Sequence, residues 1–319
     1  MHSRFTRRTR LAVTVLALAA AGSAPALAGT RTSVFAPIDP GVRASGMGGA
    51  YSAVGGEPTG LYWNPATLYF QDGKSLEFSY SDLYGLGTAE RTFLSYGWKS
   101  VFELPRFEND RVVVTRDTES GPGYALSVQS LFLDLSEANY SELSIGAGAA
   151  WGYGDRVSVG LSLQALFVSS DFDQVSALGY NLGAGLCWRY SEHERLALAF
   201  PRLISRVFWD FESTERLPLG LNVGWTRSFT PDLLFSADLE VREGEDGLYR
   251  LAAGGEWWVL PERLAVRAGY RRLNAGLETV SVPTFGLGVR FLRLRFDYAY
   301  RVEPDALGDT HRIGLLLSI

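Results

Sequence analysis

The sequence predicts an all-β fold: a 14-stranded antiparallel transmembrane β-barrel with an N-terminal plug, or hatch, in its lumen. Three observations predict it. From Lys74 onward the chain alternates with period two in runs of about ten residues separated by turn residues, the pattern of outer-membrane barrels. The connections between these runs alternate short and long, as they do in such barrels. Before the first run lies a stretch of glycines and small apolar residues, Gly41 to Phe70, with no period at all.

The N-terminus reads as an export signal. Arg4, Arg7, Arg8 and Arg10 precede the apolar run Leu11 to Ala21, and Ala26-Leu27-Ala28 forms a small-x-small cleavage site. Residues 1–28 are therefore assigned to the signal peptide, 29–73 to the plug and 74–319 to the barrel. The signal carries four of the 30 basic residues and none of the 35 acidic ones, so the mature chain is acidic and is not read as a nucleic-acid binder. After residue 28 no run approaches the roughly 18 apolar residues of a spanning helix, so a membrane location requires a closed barrel, the other structure that satisfies every backbone group in lipid. Cys187 is the one cysteine, which excludes an intramolecular disulfide. With only His193 and His311 left in the mature chain, a His/Cys metal centre is poorly supplied.

Strands are expected near 74–84, 90–100, 123–133, 141–153, 156–168, 177–190, 194–201, 216–229, 232–241, 247–259, 262–272, 283–291, 293–301 and 309–319. The clearest sets Val157, Val159, Leu161, Leu163, Ala165 and Phe167 on one face and Ser158, Gly160, Ser162 and Gln164 on the other. A soluble sandwich would carry Lys, Glu and Thr on its polar face; here that face is mostly Gly, Ser and Asn. Short connections fall at Gly154-Asp155, Ser191 to His193, Thr230-Pro231, Leu260-Pro261 and Leu292, and long ones at Ser169 to Ser176, Arg202 to Glu215, Arg242 to Asp246, Arg272 to Val282 and Val302 to Gly308. Short turns mark the periplasmic side. Val101 to Pro122 is long yet falls on that side, so it is either an insertion or a sign that the count is off by a hairpin. Aromatics at strand ends, among them Tyr80, Tyr84, Trp98, Trp151, Tyr153, Trp188, Tyr190, Trp225, Trp257, Trp258, Tyr298 and Tyr300, read as interfacial girdles.

The polar face of the last five strands is charged: Arg250, Glu256, Arg267, Arg271, Arg290, Arg293, Arg295, Asp297 and Arg312. Arginine facing lipid at the midplane costs about 2–4 kcal/mol, so this face is expected to line the lumen. The wall has two readings. One is an anion-steering surface or a contact for carboxylate head groups. The other is a salt-bridge ladder in which Glu256, Asp297, Asp238 and Glu240 neutralise the arginines and anchor the plug.

Within the plug, Asn64-Pro65 should cap and open a short helical turn through Thr67 and Leu68, since Asn is a good N-cap and Pro suits the first helical position. Glu57-Pro58 should begin another, carrying Leu61, Tyr62 and Trp63. Gly46-Met47-Gly48-Gly49 lacks the Lys-Ser/Thr of a phosphate loop, and Tyr51 takes the third glycine position of a dinucleotide fingerprint, so no nucleotide cofactor is expected. No G-x-S-x-G elbow is evident, and the chain is read as a non-enzyme.

Arg43-x-x-Gly46-Met47-Gly48-Gly49-Ala50-Tyr51, followed by Leu61-Tyr62-Trp63-Asn64-Pro65-Ala66, resembles the N-terminal hatch of the FadL-like outer-membrane transporters, most closely the PorV/PorQ group. The closing strands, from Phe285-Gly286-Leu287-Gly288-Val289-Arg290 to Thr310-His311-Arg312, are similar to that group's. The chain ends on Ser318-Ile319, where such barrels often close on an aromatic residue. The resemblance implies an outer-membrane barrel plugged by its N-terminal segment and two alternative roles. One is passive transport of hydrophobic or amphipathic small molecules, with Phe208, Trp209 and Phe211 as a capture loop or simple interfacial anchors. The other is an interaction component of a protein-export system, with secretion-system proteins as partners. Outer-membrane lipid is the surrounding partner in both.

Overall fold

The computed structural model describes Phe35 and residues 39–85, 87–100, 102–108, 111–117, 121–134, 138–171, 175–211, 213–243, 249–275, 278–303 and 308–319. The export signal read at 1–28 and the first plug residues, 29–34, lie outside them.

Fourteen strands close into one antiparallel barrel: β1 Lys74–Asp82, β2 Ala89–Lys99, β3 Gly123–Asp134, β4 Asn139–Tyr153, β5 Val157–Ser170, β6 Ser176–Arg189, β7 Glu194–Trp209, β8 Gly220–Thr230, β9 Leu233–Arg242, β10 Tyr249–Leu260, β11 Leu264–Ala275, β12 Glu278–Phe291, β13 Leu294–Arg301 and β14 Thr310–Ser318. Neighbours in sequence pair, and β1 closes the ring on β14 from Ser75↔Ser318 to Asp82↔His311. Closure leaves no sheet edge, as a lipid environment demands.

The alternation decides what each face meets. In β5, Val159, Leu161 and Leu163 point outward and are 49%, 59% and 53% exposed, while Ser158 and Ser162 point inward and are buried. Leu126, Ile145, Leu287 and Ile313 continue this apolar exterior around the barrel. A contiguous apolar belt of that extent is the surface of an outer-membrane-type barrel. Trp151, Tyr153, Trp188, Tyr190 and Trp257 edge the belt at the short-turn end. Two residues leave the expected girdle: Tyr84 is buried in a left-handed turn at φ 67° after β1, and Trp258 is half-buried on the inward side of β10, under the Arg290 guanidinium.

Residues 101–122 prove to be an insertion. Phe102–Glu108 and Arg111–Asp117 form a separate two-stranded antiparallel sheet that, among the described residues, pairs with no barrel strand, so the count of fourteen stands. Two expected loops are strand instead. The β11–β12 ladder runs on through Ala275↔Glu278, and β7 continues past Pro201 to Trp209. Proline cannot donate to a ladder. The chain bulges there: Leu182 pairs with Ile204 but Ala184 with Phe200, and pairing resumes beyond. Phe208 and Trp209 thus end a strand; Phe208 is 47% exposed on the outside, and Trp209 stacks on Phe211 at 5.5 Å.

Candidate functional site

The lumen holds the segment from Asp39 to Gln71. Gly41, at φ 84°, starts helix α1, Val42–Gly46, which ends at Met47 before two left-handed glycines, Gly48 and Gly49. Helix α2, Gly60–Trp63, carries Leu61, Tyr62 and Trp63 as expected. Asn64 is extended at φ −162°, its side chain accepts from the Ala66 amide at 3.1 Å, and Pro65 opens the 3-10 turn Pro65–Phe70. The Asn64 side-chain amide also donates to Ser52 O at 3.0 Å and to Leu186 O on β6 at 3.3 Å, so the cap ties the plug to itself and to the wall. Trp63 is buried, donates to Pro40 O and lies with its ring 5.5 Å from the Arg250 guanidinium.

The plug touches every strand. Residues 42–49 run along β14 to β10, where Gly46 meets Gly286 and Met47 and Gly48 lie on Gly254 and Gly269. The Tyr51 and Ser52 amides donate to Asp238 of β9 at 2.9 and 2.8 Å, Ser52 lies against Gly224 of β8, and Ala53 packs with Ala197 of β7. Thr59 donates to Glu77 of β1, and Glu57 pairs with Arg295 of β13. Residues 61–71 cover β2 to β6, with Pro65 and Ala66 on Gly160 and Asn64 on Gly185. At Gly160, Gly254 and Gly269 a Cβ would fall within the plug's own backbone. This is why the lumenal face is Gly, Ser and Asn: main chain packs directly on main chain there.

Ion pairs fasten this contact, as the ladder reading expected. Arg43 bonds Glu256 at 2.6 and 2.8 Å and Glu57 at 2.9 Å. Arg267 joins Glu256 and Asp297, each at 2.7 Å, and Arg295 joins Asp297 at 2.6 Å and Glu57 at 2.7 Å. A second knot centres on Asp39, which pairs with Arg250 and Arg271 while Arg312 donates to its carbonyl. Arg250 also pairs with Glu240 at 2.7 Å. Asp238 departs from the expected ladder by binding plug amides instead of arginine. Arg293 is not in the wall: it lies exposed in the two-residue turn between β12 and β13, one residue before β13 begins. Arg290 lies at the rim, 4.8 Å above the Trp258 ring.

Asp39 and Glu57 complete these knots; in the sequence Asp39 is not singled out and Glu57 reads only as the start of a helical turn. Burial by itself pushes the Asp39 carboxyl up, but Arg271, Arg250 and Arg312 outweigh it and hold it below the usual carboxylate range. Burial likewise opposes ionisation of Glu57, and Arg295 and Arg43 reverse it. A depressed folded-state pKa contributes stability that is full above the unfolded value and lost as pH falls through the folded one. The contribution of Asp39 and Glu57 to seating of the plug is therefore expected to be flat from neutral pH to about pH 4 and to decay only below it, measurable as acid-induced access of a protease to residues 41–70 that is abolished in an Asp39→Asn, Glu57→Gln background.

On the long-loop side of the plug lies a chamber. Leu61, Tyr62 and Trp63 form its floor. Leu131, Leu166 and Leu217 supply apolar wall, and Gln129, Gln164 and Asn181 polar wall. Arg91, Glu142 and Arg202 also line it. Their signal in the sequence is a single charge on the inward face of an otherwise uncharged run, visible once the faces are assigned.

No protein-family model and no curated protein matches the sequence. Solved structures do match its fold. The CymD monoaromatic hydrocarbon channel aligns at TM-score 0.63 with 14% identity, over 88% of this chain and 97% of that one. The TodX deltaS2S3 mutant monoaromatic hydrocarbon channel aligns at 0.61 with 15% identity, over 87% and 97%. The toluene transporter TbuX of Ralstonia pickettii aligns at 0.55 with 13% identity, over 87% and 97%. At such identities the likeness is one of fold: the barrel that this chain builds is like those of these outer-membrane channels.

Proposed function

We propose that the protein is a non-enzymatic outer-membrane channel for passive transport of hydrophobic or amphipathic small molecules, with residues 1–28 removed on export and 29–73 forming its gate. The observation that carries this reading is the chamber: a lumenal space, part apolar and part polar, on the long-loop side of the barrel and floored by the plug. The likeness to channels for monoaromatic hydrocarbons supports it. A porin would leave the lumen as water-filled as its strand number allows, whereas this one is closed by buried side chains such as Met47, Tyr51 and Trp63. The test is uptake into liposomes holding the folded chain: toluene or a similar small arene is expected to enter faster than into empty liposomes, while a trisaccharide is excluded. Equal rates with and without protein for every arene tried overturn the reading.

The finer resemblance to PorV/PorQ proteins, carried by residues 43–51 and 61–66, brings a second reading as a scaffold of a protein-export system. The dense fastening of the plug favours it, because a scaffold has no need for the plug to move. Deleting the gene decides between them: loss of arene uptake supports the channel, and exported proteins left on the cell with uptake unchanged support the scaffold.

A further inference from the structure

The chamber is partly occupied by the chain itself. Phe35 is buried in it, with its ring in a cluster that includes Leu83, Leu131, Leu166 and Leu217. Its amide donates to Glu142 Oε1 at 2.9 Å, and its carbonyl accepts from Arg202. One residue thus presents a nitrogen donor to a carboxylate, a carbonyl to a guanidinium and an aromatic ring to an apolar pocket. That is the recognition pattern of an aromatic α-amino acid, in which all three groups branch from a single carbon.

A second observation points to a ligand with more charge than Phe35 supplies. Arg91 lines the same chamber and is 4% exposed, yet among the described residues no hydrogen bond or ion pair reaches its guanidinium, and its Nε is orphaned. Glu142 is within electrostatic reach of both Arg91 and Arg202. A buried guanidinium without a partner is costly, and the group that would relieve it is an anion. The neighbouring side-chain oxygens of Asn181 and Asn222 are also without donors.

We propose that the chamber binds an aromatic amino acid unit, free or at the carboxyl end of a short peptide or acyl chain, and that Phe35 holds its place as a tethered stand-in. The nitrogen of the ligand donates to Glu142, its ring replaces that of Phe35, and its carboxylate spans Arg202 and Arg91. A carboxylate there accepts from two guanidiniums, where the Phe35 carbonyl reaches one. This inference rests on the reading of the lumen as a route for small amphipathic molecules and names the class that the chamber selects.

The test titrates the folded full-length mature chain in detergent with N-acetyl-L-phenylalanine, its methyl ester, its D-enantiomer and toluene, by calorimetry. Phe35→Ala removes the tethered competitor and is expected to tighten binding of the acid by about tenfold. In that background the ester and the D-form should bind at least about tenfold more weakly than the acid, in line with loss of a charge-assisted hydrogen bond. Arg91→Gln, which leaves no other group without a partner, should erase the preference for acid over ester. Toluene binding without acid binding, or acid, ester and D-form bound alike, overturns the inference and leaves the channel reading intact. Failure of every probe, toluene included, overturns both.

Discussion

Arg267→Met is expected to destabilise the folded barrel by about 3–5 kcal/mol, the cost of breaking a buried ion pair by removing one partner. The Arg267 side chain is fully buried, and its Nε and one terminal nitrogen reach Glu256 and Asp297 at 2.7 Å. Each carboxylate has one further guanidinium, Arg43 for Glu256 and Arg295 for Asp297, and those two arginines share Glu57. The unit is therefore a closed circuit of three cations and three anions linking β10, β11 and β13 to the plug. Removing Arg267 leaves two cations for three anions in a site that water does not reach. Methionine fills much of the volume, so the loss is electrostatic, and adding Asp297→Asn should restore a large part of it through coupling within the network. The measurement is the urea midpoint for loss of heat-modifiable gel mobility in the single and double variants. A shift below about 1 kcal/mol, as for an exposed pair, would mean that water screens the circuit.

The strands were legible because one physical rule writes them: lipid outside and plug inside force each position to one face, and the alternation records it. The rule weakens where the alternation is broken. The bulge at Pro201 shifts the register, so β7 from Arg202 to Trp209 reads as loop although Leu203, Ile204 and Phe208 are exposed apolar residues, and the ladder tip at Ala275↔Glu278 reads as loop as well. The short helices of the plug were legible at Asn64-Pro65 because capping is local. The partners of the charged wall were not. Asp39 lies more than two hundred residues from Arg250 and Arg271, and no period links them. Arg293 shows the opposite limit: one residue of error at a two-residue turn moves a side chain from wall to solvent. The glycines of the inner face were visible as composition, but what they touch became visible only with the plug in place.

That contact predicts the largest functional change. Gly269→Val should unseat the plug, because a side chain there enters the backbone at Met47 and Gly48, and the plug cannot retreat without opening the Asp39 and Glu256 knots that flank it. Overpacking of this kind costs about 1–3 kcal/mol. Gly255→Val is the matched control: its neighbour Gly254 faces the plug, while a Cβ on Gly255 meets Leu234 O at 3.4 Å, an ordinary contact. In planar bilayers the parent chain and Gly255→Val should stay closed. Gly269→Val should show intermittent ion currents, and a chain lacking residues 39–70 should conduct steadily, with anions favoured because the arginines of β10 to β14 lose Asp39 and Glu57 while only Glu256 loses a cation, Arg43. Cation preference in the deleted chain would show that the wall carries its own neutralising charge. Silence in both variants, with heat-modifiable mobility intact, would place the barrier in the barrel wall instead of the plug. Currents from Gly269→Val alone would locate the gate at the glycine seat, where backbone meets backbone with no side chain to spare.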